Sequence, residues 1–179
     1  MPRYIALLRA INVGGHMVKM DHLRGLFESI GLKDVQTFIA SGNVIFGSPS
    51  KNPVALGKSI ETHLRKALGY EVATFLRTDE ELRQIAAHRV FKDAGDDYHA
   101  IYVAFLHTKP GKELIDRLMT FKSKVNDFHV HQREVYWLCR KKMMDSEFSG
   151  AVLEKTFGMP STMRNSTTVK KLAELLSQK

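Results

Sequence analysis

Hydrophobic positions recur along this chain with two different periods, and the order of these patterns predicts the fold. Apolar runs of strand length alternate with stretches whose apolar residues fall at i, i+3, i+4 and i+7, the spacing of one buried helix face. Leu23, Leu26, Phe27 and Ile30 form such a stripe, which predicts a helix ended by Gly31. The first half is predicted to hold strands at 4–8, 35–39, 43–46 and 72–77, and helices at 20–30, 53–68 and 78–88.

Polar and turn-forming residues mark where these elements begin and end. The tripeptide Ala40-Ser41-Gly42 stands between two β-rich runs and has the composition of a tight hairpin turn. Asn52, followed by proline, has the pattern of a helix start. Thr78 with Glu81 three residues later is a capping box. The polar stretch 92–97 is the predicted linker.

The second half repeats the order of elements found in the first. Strands are predicted at 101–106, 128–131, 134–138 and 162–165, and helices at 110–121, at 148–157 and after a capping Ser166. Strand, helix, strand, strand, helix, strand is the ferredoxin-like order. The predicted fold is therefore α+β, with two tandem ferredoxin-like (βαββαβ) halves and extra helices. The domains are predicted at 1–92, with a capping helix, and at 98–179, with a C-terminal helix.

Several predicted strands are apolar on both faces, which predicts that both faces are covered. Such strands argue against an RNA-recognition sheet, because that sheet presents aromatic side chains to bases on an open face. The predicted core contains Ile5, Leu7, Phe46, Val103, Phe105 and Trp137.

Composition sets the class of protein and narrows its partners. The 179 residues are 44% hydrophobic and 26% charged, the balance of a globular protein. The formal charge of +8 suits an acidic partner, a phosphorylated small molecule or nucleic acid, and solubility alone explains the charge nearly as well. The single cysteine, Cys139, excludes an internal disulfide. No apolar run reaches the roughly 18–20 residues of a membrane span and no signal-peptide pattern is present, so a cytoplasmic protein without membrane contact is expected.

Three segments together resemble one bacterial family. They read Leu8-Arg-Ala-Ile-Asn-Val-Gly-Gly15, Phe38-Ile-Ala-Ser-Gly-Asn-Val-Ile-Phe46 and Thr162-Met-Arg-Asn-Ser-Thr-Thr-Val169. In these segments the chain is similar to the domain of unknown function 1697. Members of that family typically have glycine where this chain has Ala10, and tryptophan where it has Ser166. The resemblance runs from about Arg3 to the last helix. It implies a shared fold, and it implies no mechanism because the family's activity is not established.

Candidate binding residues lie in the glycine-containing loops. In a ferredoxin-like unit the first two strands run in the same direction, so the loop after strand one and the turn after strand two lie at one end of the sheet. A guanidinium, two amides, a hydroxyl and glycine-flanked N–H groups would suit an anion there. Another anion position is predicted where the last strand meets a helix start. The candidates are Arg9, Asn12, Gly14, Gly15, Ser41, Gly42, Asn43, Arg164 and Asn165.

Each candidate also has a purely structural interpretation. The glycines permit positive φ angles, and Asn12 and Asn43 belong to a residue type that bonds local backbone in turns. Arg164 and Asn165 have ordinary roles as well, in an ion pair and in a turn. Both interpretations stay open on the sequence alone.

Other chemistries lack a complete motif. His129 and His131 share one strand face and supply two metal ligands without an evident third, so no metal site is predicted. No Walker loop, dinucleotide fingerprint or nucleophile elbow is present, so no cofactor is expected and the catalytic residues stay unknown.

These observations leave three functional hypotheses. The leading hypothesis is a protein that binds a phosphate-bearing ligand or nucleic acid through the glycine loops of its first half. The alternative is an enzyme that acts on a small anionic metabolite in a cleft between the halves, with Arg9 and Arg164 as anion clamps. The third is an interaction module whose loops serve folding alone. The oligomeric state is left open.

Overall fold

The computed structural model describes residues 1–12, 14–39 and 42–178. The chain divides into two compact units: unit 1 is Met1–Gln84 with Leu172–Lys179, and unit 2 is Ile85–Lys171. Each unit holds one four-stranded antiparallel sheet, and the described residues form six α-helices and one short 3-10 helix. The fold class is α+β, as predicted. The domain ranges 1–92 and 98–179 divide the chain differently, and as domain boundaries they stay a prediction.

Unit 1 is built around the central strand β1. Its elements in chain order are β1 (Arg3–Leu8), α1 (Met20–Ser29), β2 (Lys33–Phe38), β3 (Asn43–Gly47), α2 (Pro53–Leu68), β4 (Thr74–Thr78) and α3 (Asp79–Ala87), whose last residues belong to unit 2. The strand order is β2-β3-β1-β4. Both β1 and β2 pair antiparallel with β3, so β1 and β2 run in the same direction.

Side-chain caps explain where the helices of unit 1 begin. Asn52 Oδ1 accepts a hydrogen bond from Ala55 N at 3.1 Å, and Gly69 ends α2 in the left-handed conformation. At α3 the predicted capping box is present. Glu81 Oε2 accepts from Thr78 N at 2.8 Å, and Thr78 Oγ1 accepts from Glu81 N at 3.1 Å.

Unit 2 repeats the arrangement with its own sheet. Its elements are β5 (Ala100–Phe105), α4 (Lys112–Met119), β6 (Asn126–His131), β7 (Glu134–Cys139), the 3-10 turn (Met143–Asp145), α5 (Gly150–Phe157), β8 (Thr162–Asn165) and α6 (Ser166–Ser177), which ends in unit 1. The strand order is β6-β7-β5-β8. The helix α5 begins later than predicted because Ser149 Oγ caps it, accepting from Val152 N at 3.3 Å.

The prediction of two covered strand faces is confirmed. All six residues predicted for the core are at most 2% exposed. In β1, Tyr4, Ala6 and Leu8 pack into the cluster beneath α1 and α2, while Ile5 and Leu7 on the other face are buried too. An open, base-stacking face is therefore not available on β1.

No helix within the described parts of the chain combines the length and the apolar character that a membrane span needs.

Candidate functional site

The two glycine-containing loops of the first half meet at one end of the unit 1 sheet. Leu8 N donates a hydrogen bond to the carbonyl oxygen of Gly42 at 2.8 Å, and Arg9 N donates to the carbonyl of Ala73 at 2.9 Å. The register of β1 and β3, which pairs Leu7 with Asn43, ends there. The loop that leaves β1 and the turn between β2 and β3 are therefore neighbours, as the strand directions predict.

Gly42 is required at this junction for two reasons. Its φ angle of +81° lies in the left-handed region that favours glycine. A Cβ atom built there would lie 2.8 Å from Ile11 Cγ2 and 2.9 Å from Leu8 Cβ, closer than carbon atoms approach in folded proteins. Gly42 therefore lets the two loops pack closely together.

Both candidate asparagines of the first half bond the local backbone. Asn12 Oδ1 accepts a hydrogen bond from Val18 N at 2.7 Å and so holds the long loop closed. Asn43 is fully buried, and its Nδ2 donates to the carbonyl of Phe38 at 2.9 Å across the hairpin. These contacts position the loops.

The exposed part of the loop that leaves β1 is basic and rich in glycine. Arg9, Gly14 and Gly15 are exposed, and both glycines have positive φ angles with open space where a Cβ would lie. The loop leads into α1, whose N-cap Lys19 makes no side-chain capping hydrogen bond within the described chain. The N–H groups at such a helix start carry partial positive charge.

An aromatic contact and a hydrogen bond from Tyr70 stabilise the loop that leaves β1. The His16 ring stacks on the Tyr70 ring with centroids 3.8 Å apart, and Tyr70 Oη donates to the carbonyl of Ile11 at 3.2 Å. Ser41, also a candidate, lies outside the described residues.

The remaining two candidates belong to unit 2. Arg164 on β8 is buried, and its Nη1 donates to Thr162 Oγ1 at 2.7 Å and to the carbonyl of Met163 at 3.0 Å. Burial lowers the pKa of Arg164 to about 10, which leaves the guanidinium charged at neutral pH. These hydrogen bonds compensate a buried charge, so they have a structural role.

Asn165 caps the last helix. Its Oδ1 accepts hydrogen bonds from Thr167 N and from Thr167 Oγ1, both at 3.0 Å. The sequence predicts Ser166 as the cap of this helix. Because α6 begins at Ser166, the capping residue is Asn165, one position earlier.

A group of three histidines was missed by sequence reasoning. The structure brings His88, directly after α3, to His129 and His131 on β6, and one ring nitrogen of each lies within 4.8 Å of the others. The alternation on β6 was visible in the sequence, but no spacing rule connects it to His88, far earlier in the chain. Burial lowers the pKa of His88 and the pKa of His129, and neighbouring histidines lower both further.

The comparisons agree with the two-sheet architecture and assign no chemistry to it. The chain belongs to a protein family of unknown function (DUF1697), whose model matches residues 1–136, so the resemblance is confirmed although Thr162–Val169 lies beyond the match. Among curated proteins, none matches this chain. A solved structure, that of the conserved bacterial protein SP0830 from Streptococcus pneumoniae, is similar with a TM-score of 0.74 and 21% identity, covering 98% of this chain and 99% of that one. At this identity the likeness shows a shared fold alone.

Proposed function

We propose that unit 1 binds a phosphate-bearing ligand through the loop cluster formed by residues 9–16 and 41–43. The observation that carries the proposal is the hydrogen bond from Leu8 N to the Gly42 carbonyl, which joins the two loops at one end of the sheet. Arg9 supplies a guanidinium that matches the geometry of phosphate oxygens. Backbone N–H groups around Gly14 and Gly15 supply further donors.

The contacts of the two asparagines refine this proposal. Because Asn12 and Asn43 bond Val18 N and the Phe38 carbonyl, they hold the shape of the site. The phosphate is contacted by Arg9 and by backbone donors, and the dipole of α1 adds attraction for its negative charge.

A phosphorylated small molecule fits these observations better than single-stranded nucleic acid does. Binding of single strands usually adds stacking of bases on exposed aromatic rings. Both faces of β1 are buried, and Tyr70, which contacts the loop cluster, is stacked on His16. Nucleic acid that contacts the loops through its phosphates stays the second ligand to test.

The contacts of Arg164 favour a binding protein over the enzyme alternative. That alternative used Arg164 as a second anion clamp, but the residue is buried and donates to Thr162 and Met163. The enzyme hypothesis and the cytoplasmic location both stay predictions.

We also propose that each unit is ferredoxin-like. Support comes from the strand orders β2-β3-β1-β4 and β6-β7-β5-β8, from antiparallel pairing throughout, and from the helices that connect β1 to β2, β3 to β4, β5 to β6 and β7 to β8. In this arrangement α3 and α6 are the extra helices.

The binding proposal is tested with Arg9→Ala. Ligand binding to the native state raises the free energy of unfolding by RT ln(1 + [L]/Kd), about 2.7 kcal/mol at a ligand concentration of 100 Kd. Thermal-shift measurements against phosphorylated metabolites, their dephosphorylated counterparts and oligonucleotides should find stabilisation by a phosphorylated compound in the wild-type protein. Arg9→Ala should abolish it and change the stability of the ligand-free protein by at most about 1 kcal/mol.

A matched control separates a binding site from general charge. Lys33 is exposed and lies at the opposite end of the same sheet, where it pairs with Gly47. Lys33→Ala removes the same charge and should leave ligand-induced stabilisation unchanged. Equal binding by wild-type protein and Arg9→Ala, or equal losses in the two variants, would reject the site.

A further inference from the structure

The histidine cluster of unit 2, which we define as His88, His129 and His131, is independent of the proposed phosphate site. His129 and His131 are two residues apart on β6, so their side chains leave the same face of the sheet. His88 follows the last residue of α3. A ring nitrogen of each lies within 4.8 Å of the other two. The His88 and His131 rings are stacked, with centroids 4.4 Å apart. Three neighbouring imidazoles whose nitrogens can be turned toward one point are a ligand set for a transition-metal ion.

One buried nitrogen of the cluster makes no hydrogen bond with the described residues. This atom is His88 Nε2. Buried polar atoms in folded proteins are nearly always satisfied, so each exception calls for an explanation. A metal ion bonded to the nitrogen lone pair would satisfy His88 where no protein donor does.

We propose that the histidine cluster binds a divalent ion of the zinc class through three protein ligands, with the fourth position left for water or an anion. Imidazole nitrogen suits Zn²⁺, Co²⁺, Ni²⁺ and Cu²⁺, whereas Mg²⁺ and Ca²⁺ prefer oxygen ligands. Nitrogens bound to a tetrahedral zinc ion at about 2.0–2.1 Å stand roughly 3.4 Å apart. The nitrogens of the cluster need to close by on the order of 1 Å. Rotation of the His88 or His131 ring out of the stacked arrangement, about a soft terminal torsion, supplies this movement.

Tyr136 positions the segment that carries His88. It lies opposite His129 in the β6–β7 register, and its ring centroid is 5.6 Å from that of His88. Its Oη donates a hydrogen bond to the carbonyl of Ile85 at 3.3 Å, three residues before His88. This bond ties the end of α3 to the sheet that holds the other two ligands.

The cluster can be reached from two sides. His131 is exposed, and His88 lines a cavity of about 670 Å³ in unit 2. Three cationic residues, Arg89, Lys92 and Lys170, share the lining of that cavity with one acidic residue, Asp96. Their charge favours an anion, so the fourth coordination position is available to a carboxylate or phosphate as well as to water.

The test uses the full-length protein without a polyhistidine tag, freed of metal with a chelator and titrated with Zn²⁺ by calorimetry. One equivalent is expected to bind, and Co²⁺ in its place should give the visible absorption of a tetrahedral complex with nitrogen ligands. His88→Gln and His131→Gln should each weaken zinc binding by more than about tenfold and remove the cobalt spectrum, since even changes next to a ligand cost ~10–100-fold. The absence of zinc binding to the wild-type protein would overturn the proposal.

The matched control is His99→Gln. His99 is an exposed histidine of the same unit outside the cluster, so its loss should leave affinity, stoichiometry and the cobalt spectrum unchanged. Should His88→Gln fold poorly, the decision rests on His131→Gln, because an exposed side chain can be replaced without loss of core packing. Zinc affinity retained in His131→Gln, or lowered equally by His99→Gln, would overturn the proposal.

Discussion

At the scale of single residues, five of the eight positive φ angles among the described residues of unit 1 lie where the two loops meet. Gly31, Asp34 and Gly69 lie elsewhere, and the five are Ala10, Gly14, Gly15, Ile39 and Gly42. Two of these five are not glycine, and a β-branched residue such as Ile39 adopts this conformation only where its surroundings impose it. The φ angle of +55° at Ala10 explains why the family pattern has glycine at that position, since glycine adopts positive φ angles without strain.

Gly42→Ala is predicted to be strongly destabilising. The added methyl group would meet Ile11 Cγ2 and Leu8 Cβ at under 3 Å, and the positive φ angle would be strained as well. Overpacking costs about 1–3 kcal/mol, and a left-handed non-glycine residue costs roughly 1–2 kcal/mol more. Urea denaturation should therefore show a loss of about 2–5 kcal/mol in the free energy of unfolding.

Gly14→Ala separates the two causes of that loss. Gly14 also has a positive φ angle, +64°, but apart from its chain neighbours no atom of the described residues lies within 4 Å of the position its Cβ would take. This variant should lose only the conformational part, about 1–2 kcal/mol. Equal losses at Gly14 and Gly42 would show that close packing of the loops is not what requires glycine at the junction.

At the scale of elements, helix ends explain much of the agreement between sequence and structure. The capping box of Thr78 and Glu81 and the Asn52 cap of α2 are local signals, since every partner lies within a few residues. The cap of α6 was assigned one residue too late, to Ser166. Ser and Asn are both good N-caps, and two adjacent candidates leave a helix start uncertain by one position.

Asn165 gives an element-scale prediction that also separates capping from ligand binding. Asn165→Ala removes the acceptor for Thr167 N and should cost about 1 kcal/mol in urea denaturation. Asn165→Asp keeps that acceptor and adds a negative charge at the start of α6, so it should be nearly as stable as the wild-type protein. If Asn165 instead contacts an anionic ligand, the aspartate variant would lose ligand-induced stabilisation through repulsion, whereas capping alone predicts that stabilisation is kept.

At the scale of the whole molecule, the sequence predicts what depends on neighbours in the chain and misses what depends on distant residues. Two-sided apolar strands revealed buried sheets, and strand direction revealed that the loops after β1 and β2 meet. The third histidine of the cluster could not be foreseen, because only folding brings His88 to β6. Asn12 is a similar case: its residue type indicated a backbone bond, but its partner Val18 N depends on the path of the loop.

Unit 1 contains two segments that are far apart in the sequence, a relationship that local patterns do not predict. Residues 172–179 belong to it with residues 1–84, although a sequence-based division assigns them to the second half. Leu172, Ala173 and Leu176 are buried, and Arg3 Nη1 at the start of β1 donates to the carbonyl of Leu176 at 2.8 Å. The end of the chain therefore contributes to the stability of the unit that contains its beginning.

A chain ending at Lys171 is accordingly predicted to lose stability in unit 1. Two buried leucines are worth about 1.5–3 kcal/mol each, so the loss of roughly 3–6 kcal/mol is a large part of the 5–15 kcal/mol typical of a domain. Hydrogen exchange should accelerate more in β1 than in β7. A chain ending at Ser177 keeps Leu172, Ala173 and Leu176 and should resemble the full-length protein. If the shorter chain instead exchanges β1 amides as slowly as the full-length protein does, residues 172–179 do not stabilise unit 1, and the ranges 1–92 and 98–179 describe the domains better.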